Sequence, residues 1–94
     1  MAAYLIAEVD VTDAKAYEDY RPLAAASIAR HGGKYIVRGG RTEALEGEQP
    51  HRVVVLEFPT MDAALAFYVS PDYSEARKIR EKAARSRVFL VEGA

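Results

Sequence analysis

The 94-residue chain has no cysteine, no tryptophan and no asparagine, a single glutamine (Gln49) and two histidines (His31 and His51). Without thiols it has no disulfide framework and no thiolate to act as nucleophile or ligand. The two histidines have no i, i+4 partner, so the sequence carries no metal signature, and neither a metal nor a cofactor is expected. His31 closes a helical stretch just before glycine, where a cation suits the helix dipole. No apolar run approaches the roughly 20 residues that span a bilayer, so no membrane partner is expected. Met1 to Asp10 has no basic leader and already carries Glu8 and Asp10, which argues against a signal peptide and for a cytoplasmic protein. The formal net charge is −1, so nothing draws the whole chain toward nucleic acid. The basic residues between Arg77 and Arg87 are interspersed with Glu81 and lack interleaved aromatics, which describes a solvated face and not a nucleic-acid surface.

What the chain does have is apolar surface. Half of its residues are hydrophobic, while a single domain of this length, residues 1–94, buries only about 60–65% of its unfolded surface. A second chain would cover the excess.

The most distinctive stretch is GGKYIVRGG, Gly32 to Gly40. Its first glycine pair follows a helical pattern and suits a left-handed helix end. Its second pair follows an alternating run and suits a bulge or a close backbone approach. Around it, periodicity predicts a strand over 3–9, a helix over 14–31 capped by Asp13 or Thr12, and a strand over 34–38 that resumes over 41–45. A strand over 52–58, a helix capped by Thr60, a helix opened by Ser70-Pro71 and ending near 84, and a strand over 87–91 follow. Pro22 is expected to kink or break the first helix. Met61, Ala64, Leu65 and Tyr68 form the expected apolar stripe of the second.

This order gives an α+β fold, a ferredoxin-like βαββαβ sandwich on a four-stranded antiparallel sheet. Two right-handed crossovers set the first and third strands side by side in the middle, where they are read as parallel. The helices cover one sheet face. The other face is equally apolar, so a second sheet from another copy of the chain is expected to pack on it, forming a homodimer.

The chain resembles the DUF1330 family, a domain of unknown function within the dimeric α/β barrel group. The resemblance is carried by Gly32 to Gly40, Leu45-Glu46-Gly47, Glu57-Phe58-Pro59, Ser70-Pro71-x-Tyr73 followed by Arg80, and the closing Val91-Glu92-Gly93. It implies a homodimer whose two sheets form a barrel with a cleft, and it singles out Arg80. It implies no particular reaction. Relatives that share only the fold include haem-degrading and cofactor-free monooxygenases.

Candidate site residues follow from placement. The expected parallel pairing and hairpin register bring Glu8, Glu57 and Arg38 to one end of the sheet, where an arginine and two close carboxylates would split into an acid and a base. Glu57 is then the candidate general base, if there is chemistry. Arg38 beside Gly39 offers a bidentate fork and close amides to an anion. Ser70 and Tyr73 open a helix whose free amides suit an anion. Tyr20 and Tyr35 are expected to shape a cleft between the first helix and the sheet. The expected ligand is a small molecule, apolar and anionic. The alternatives are a non-catalytic dimerisation or interaction module, and a monooxygenase by likeness of fold.

Overall fold

A computed structural model describes residues 1–94. The elements are β1 (Ala3–Val11), α1 (Ala14–Arg30), β2 (Lys34–Arg38), β3 (Arg52–Phe58), α2 (Met61–Val69), α3 (Pro71–Ala83) and β4 (Ala84–Glu92). One sheet carries the strands in the order β2-β3-β1-β4, and every pairing in it is antiparallel. The fold is the expected ferredoxin-like βαββαβ sandwich.

The middle of the sheet corrects one expectation. β1 and β3 are neighbours but antiparallel, with Tyr4 opposite Glu57 and Glu8 opposite Val53. The reason is geometric. The crossover through α1 returns the chain to the end where β1 began, so β2 runs with β1. The hairpin then reverses direction, and β3 must run against both.

The hairpin register also differs from expectation. Arg38 faces Val54 and Lys34 faces Glu57, with a bulge at Ile36 between Tyr35 and Val37. The bulge therefore falls inside β2 and not at Gly39-Gly40. Residues 41–45 form no strand. Their hydrogen bonds go to Gln49 instead, whose side chain accepts from the Ala44 amide at 2.8 Å and donates to the Thr42 carbonyl at 2.9 Å. The chain between β2 and β3 is thus a self-tied loop.

α1 begins where Asp13 accepts a hydrogen bond from the Ala16 amide at 3.1 Å and runs unbroken through Pro22. Pro22 lies on the exposed side of the helix, where water can reach the carbonyl that loses its partner. The helix ends in a Schellman motif. The amide of Gly32 donates to the Ala29 carbonyl and that of Gly33 to the Ile28 carbonyl, with Gly32 at φ 77°. Thr60 caps α2 through the Ala63 amide. The buried residues of α2 are Ala64 and Phe67, whereas Leu65 is exposed. The helix is short and apolar nearly all round, so periodicity alone did not resolve its inner face.

The core lies between the helices and the inner sheet face: Ala3, Leu5, Ala7 and Val9 of β1, Leu56 and Phe58 of β3, Ile28 of α1 and Phe67 of α2 are all buried. The side chains of β1 alternate strictly between this face and the outer one. No helix is long and apolar enough to cross a membrane.

Candidate functional site

Between α1 and the inner sheet face the packing leaves a chamber. Its floor is Leu5, Ala7, Val54, Leu56 and Val88. Its walls are Tyr17, Ala24 and Ile28 of α1, Phe67 of α2 and Tyr73 of α3. Four arginines line it, Arg21, Arg38, Arg52 and Arg80, and no carboxylate does. The enclosed space is about 40 Å³, room for a few water molecules.

The four arginines divide into two groups. Arg21, Arg38 and Arg52 surround Tyr35 near the β2–β3 side and make a mouth. The Arg38 guanidinium lies 4.1 Å from the Tyr35 ring centroid, within cation–π range. Arg52 alternates with Val54 and Leu56 along β3 and so points to the inner face. Its guanidinium rests against Gly39, filling the place where a Cβ would stand. Gly39 has φ 69°, and its amide donates to the Val53 carbonyl at 2.9 Å. Gly39 therefore seats Arg52, and its own N–H is already used. Tyr35 is half-buried, and burial raises its phenol pKa while Arg38 opposes the rise.

The other group lies deeper. Arg80, in the last turn of α3, is 5% exposed. It takes part in none of the ion pairs of the structure, and its Nε–H has no acceptor. Two phenols stand beside it. The Tyr20 and Tyr73 hydroxyls are 2.8 Å apart. Burial first, then the neighbouring Tyr73, pushes the Tyr20 phenol far above the ordinary range. Burial also raises Tyr73, against the pull of the nearby Arg80. Both phenols are thus proton-bearing donors at neutral pH. Ser70 positions Tyr73: its hydroxyl accepts from the Tyr73 amide at 3.3 Å and donates to the Phe67 carbonyl at 2.7 Å. The Tyr73 and Ser74 amides at the start of α3 are thus both bonded to Ser70 and are not free for an anion.

The structure therefore brings Arg38, Tyr35, Tyr20, Tyr73 and Arg80 to one chamber, with Gly39 and Ser70 behind it. Glu57 is elsewhere. Its carboxylate lies on the outer sheet face, hydrogen-bonded to the Tyr4 hydroxyl at 3.1 Å and paired with Lys34 at 3.1 Å. Lys34 first, then Tyr4, holds it below its usual pKa. Glu8 is at the opposite end of β1, paired with Arg87 at 3.3 Å. The expected Arg38–Glu57–Glu8 group is thus dispersed, because it rested on a parallel pairing and on a register the hairpin does not adopt. Arg21 and Arg52 were not singled out in the sequence, although the alternation Arg52-x-Val54-x-Leu56 carries the signal for one of them. No group of three His, Asp or Glu side chains is placed to hold a metal ion.

A family model for DUF1330, a domain of unknown function, matches residues 2–94, and the chain belongs to that family. A search of curated proteins finds no match. Among solved structures, a protein of unknown function from Rhodopseudomonas palustris, RPA0582, is 26% identical with a TM-score of 0.80, over 99% of this chain and 82% of that one. SnoaB, a cofactor-independent oxygenase from Streptomyces nogalater, is 14% identical with a TM-score of 0.72, over 99% and 93%. A dimeric ferredoxin-like protein of unknown function from Jannaschia sp. CCS1 is 13% identical with a TM-score of 0.73, over 99% and 100%. The last two likenesses are likenesses of fold.

Proposed function

We propose that this DUF1330 protein binds a small apolar anion in the chamber between α1 and the sheet, and that it does so as a homodimer. The observation that carries the reading is the lining of the chamber: four arginines, aromatic and aliphatic walls, and no acidic side chain. An apolar cavity with a few convergent polar groups is the usual form of a small-molecule site, and of its four cations only Arg21 has a carboxylate partner, Glu18 at 3.3 Å, so the lining favours negative charge. In this reading Arg38, with Arg21 and Arg52, draws the anion to the mouth, and Tyr20 and Tyr35 shape the space behind it.

The support is for binding ahead of proton abstraction. Glu57 is on the far side of the sheet and is a weakened base, and the buried phenols are donors. A thermal-shift screen of apolar carboxylates tests the reading. Acidic compounds raise the melting temperature of the wild type, and Arg38→Ala weakens the effect. The reading is lost if no acid stabilises the protein and Arg38→Ala changes nothing.

The homodimer rests on the outer sheet face. Ile6, Val37, Val53, Val55, Phe89 and Val91 are its apolar residues, none of them fully buried in the single chain, and the dimeric ferredoxin-like neighbour has the same fold. Packing two such faces would remove this surface from water. Light scattering at micromolar concentration gives twice the chain mass under this proposal, and a monomer mass contradicts it.

One observation favours a second reading, a dimerisation module without a ligand. The chamber is nearly filled by its own side chains, with about 40 Å³ left. Under that reading the screen finds no acid and the dimer persists.

A further inference from the structure

The arginines at the mouth of the chamber are exposed or half-buried. A buried charge is a different matter, since removing a cation from water costs several kcal/mol unless it is paired. Arg80 is 5% exposed, has no carboxylate within ion-pair distance and leaves its Nε–H without an acceptor. The carbonyl end of α3 and the two phenol oxygens offer it partial charges only. Beside it the Tyr20–Tyr73 hydroxyl pair shares one hydrogen bond at 2.8 Å. One phenol proton therefore lies between the two oxygens, and the other is free to donate.

Arg80 also borders two spaces. On one side is the enclosed chamber of about 40 Å³. On the other is an open cleft of about 420 Å³ between α3 and β4, lined by Tyr68, Ala84, Ser86 and one carboxylate, Glu81, so the acid-free lining belongs to the chamber alone. Arg80 and Val88 belong to both linings. The long arginine side chain thus lies, with Val88, between the two spaces. Turned toward the cleft, it would merge the two spaces into one of ligand size while keeping its guanidinium at the junction.

We infer that Arg80, with the Tyr20–Tyr73 pair, is the head-group site of a single binding site made of chamber and cleft, and that the ligand is a compact apolar monocarboxylate. This deepens the function proposed above and rests on it. The carboxylate is met side-on by the Arg80 Nε–H and a second guanidinium N–H, the bidentate geometry that guanidinium and carboxylate share. The free phenol proton adds a third bond. The apolar body lies over Leu5, Ala7 and Leu56. The three arginines at the mouth then attract the ligand without being its final partner.

The experiment uses benzoate as the anion and benzamide as its uncharged isostere. In the wild-type protein, nitrogen-15 NMR follows the Arg80 Nε–H, assigned through the Arg80 side-chain and backbone resonances of the uniformly labelled protein. Benzoate is expected to shift this signal and slow its exchange with water, and benzamide is not. By calorimetry, Arg80→Lys lowers benzoate affinity about tenfold, because an ammonium keeps the charge but loses the planar fork. Tyr20→Phe lowers it about threefold to tenfold, through loss of the shared hydroxyl network. If Arg80→Lys perturbs folding, the wild-type NMR titration decides alone. Benzoate that binds while the Arg80 signal stays still, with full affinity in Arg80→Lys, overturns this inference and leaves the function proposed above standing. Failure of benzoate and the acid screen alike overturns both.

Discussion

The mouth of the chamber holds three arginines within reach of water, and its inner end holds one that is withdrawn from it. Around the mouth, Arg38 stacks on Tyr35 and stays exposed, while Arg52 lies half-buried against Gly39 with its Nε–H unpartnered. At the inner end the buried Arg80 lines the chamber together with Tyr20, Tyr73 and Phe67, the Phe67 ring centroid lying 4.4 Å from that of Tyr73. The same side chain therefore does two things. In water it is a long-range attractor, weakened by salt and cheap to keep. Out of water it is an unmet demand for a specific partner. The chemistry of the chamber is set less by how many arginines line it than by which one has lost its hydration.

The largest expected effect separates the ends by packing. Phe67 is fully buried and touches Phe58 and Tyr73, with centroids at 5.1 and 4.4 Å. Phe67→Ala should cost about 3–5 kcal/mol of stability, measured by denaturant unfolding. Tyr35→Ala at the half-buried mouth should cost less than half of that. Equal costs would erase the distinction between the ends.

A smaller effect tests the hydroxyl pair. Tyr20→Phe should destabilise by about 1 kcal/mol, since it strands the Tyr73 hydroxyl in a buried place. Adding Tyr73→Phe should cost little more, because the two act on one bond. Full additivity in the double mutant would show that the pair is not a unit.

Smaller again is Arg38→Ala, expected to change stability by no more than about 0.5 kcal/mol. Its effect should appear in ligand association, which becomes slower and less dependent on salt. A stability loss as large as that of Phe67→Ala would mean that the mouth is structural after all.

The smallest effect is on the acid side, behind the inner end. Asp72 ties α3 to the end of α1, pairing with Arg30 at 2.7 Å and His31 at 3.4 Å. The nearby Ser27 hydroxyl first, though it makes no direct hydrogen bond, then Ser70 and the bonded His31, lower its carboxyl well below the usual range. A depressed folded-state pKa gives stability that is present above the unfolded value of about 4 and is lost as pH falls toward the folded one. The melting temperature should therefore drop as pH falls below about 4, and Asp72→Asn should flatten that drop. An unchanged pH profile in Asp72→Asn would remove Asp72 from the account.

Much of the fold was legible because its signals are local. The Asp13, Thr60 and Ser70 caps, the left-handed Gly32 and the alternation of β1 each announce an element without reference to any other. Strand direction and hairpin register are not local. The pairing of Lys34 with Glu57 depends on how residues 39–51 spend their hydrogen bonds, and Gln49 bonding within that loop is a choice no periodicity displays. The site followed the same division. Tyr20, Tyr35, Arg38, Tyr73 and Arg80 do converge on one chamber. Arg38 and Glu57 do not meet, because the two residues sit on opposite faces of the sheet once the register is known. The burial of Arg80, which distinguishes it from every other cation in the chamber, arises from α1, α3 and β4 together and has no counterpart in the sequence around it.

The chamber is expected to discriminate between ligands by charge. The direct measurement is calorimetric titration of the wild-type protein with benzoate and with benzamide under one buffer and one salt concentration. Benzoate is expected to bind at least about tenfold more tightly than its uncharged isostere, a difference of about 1.4 kcal/mol. Equal affinities, or binding of benzamide alone, would contradict it.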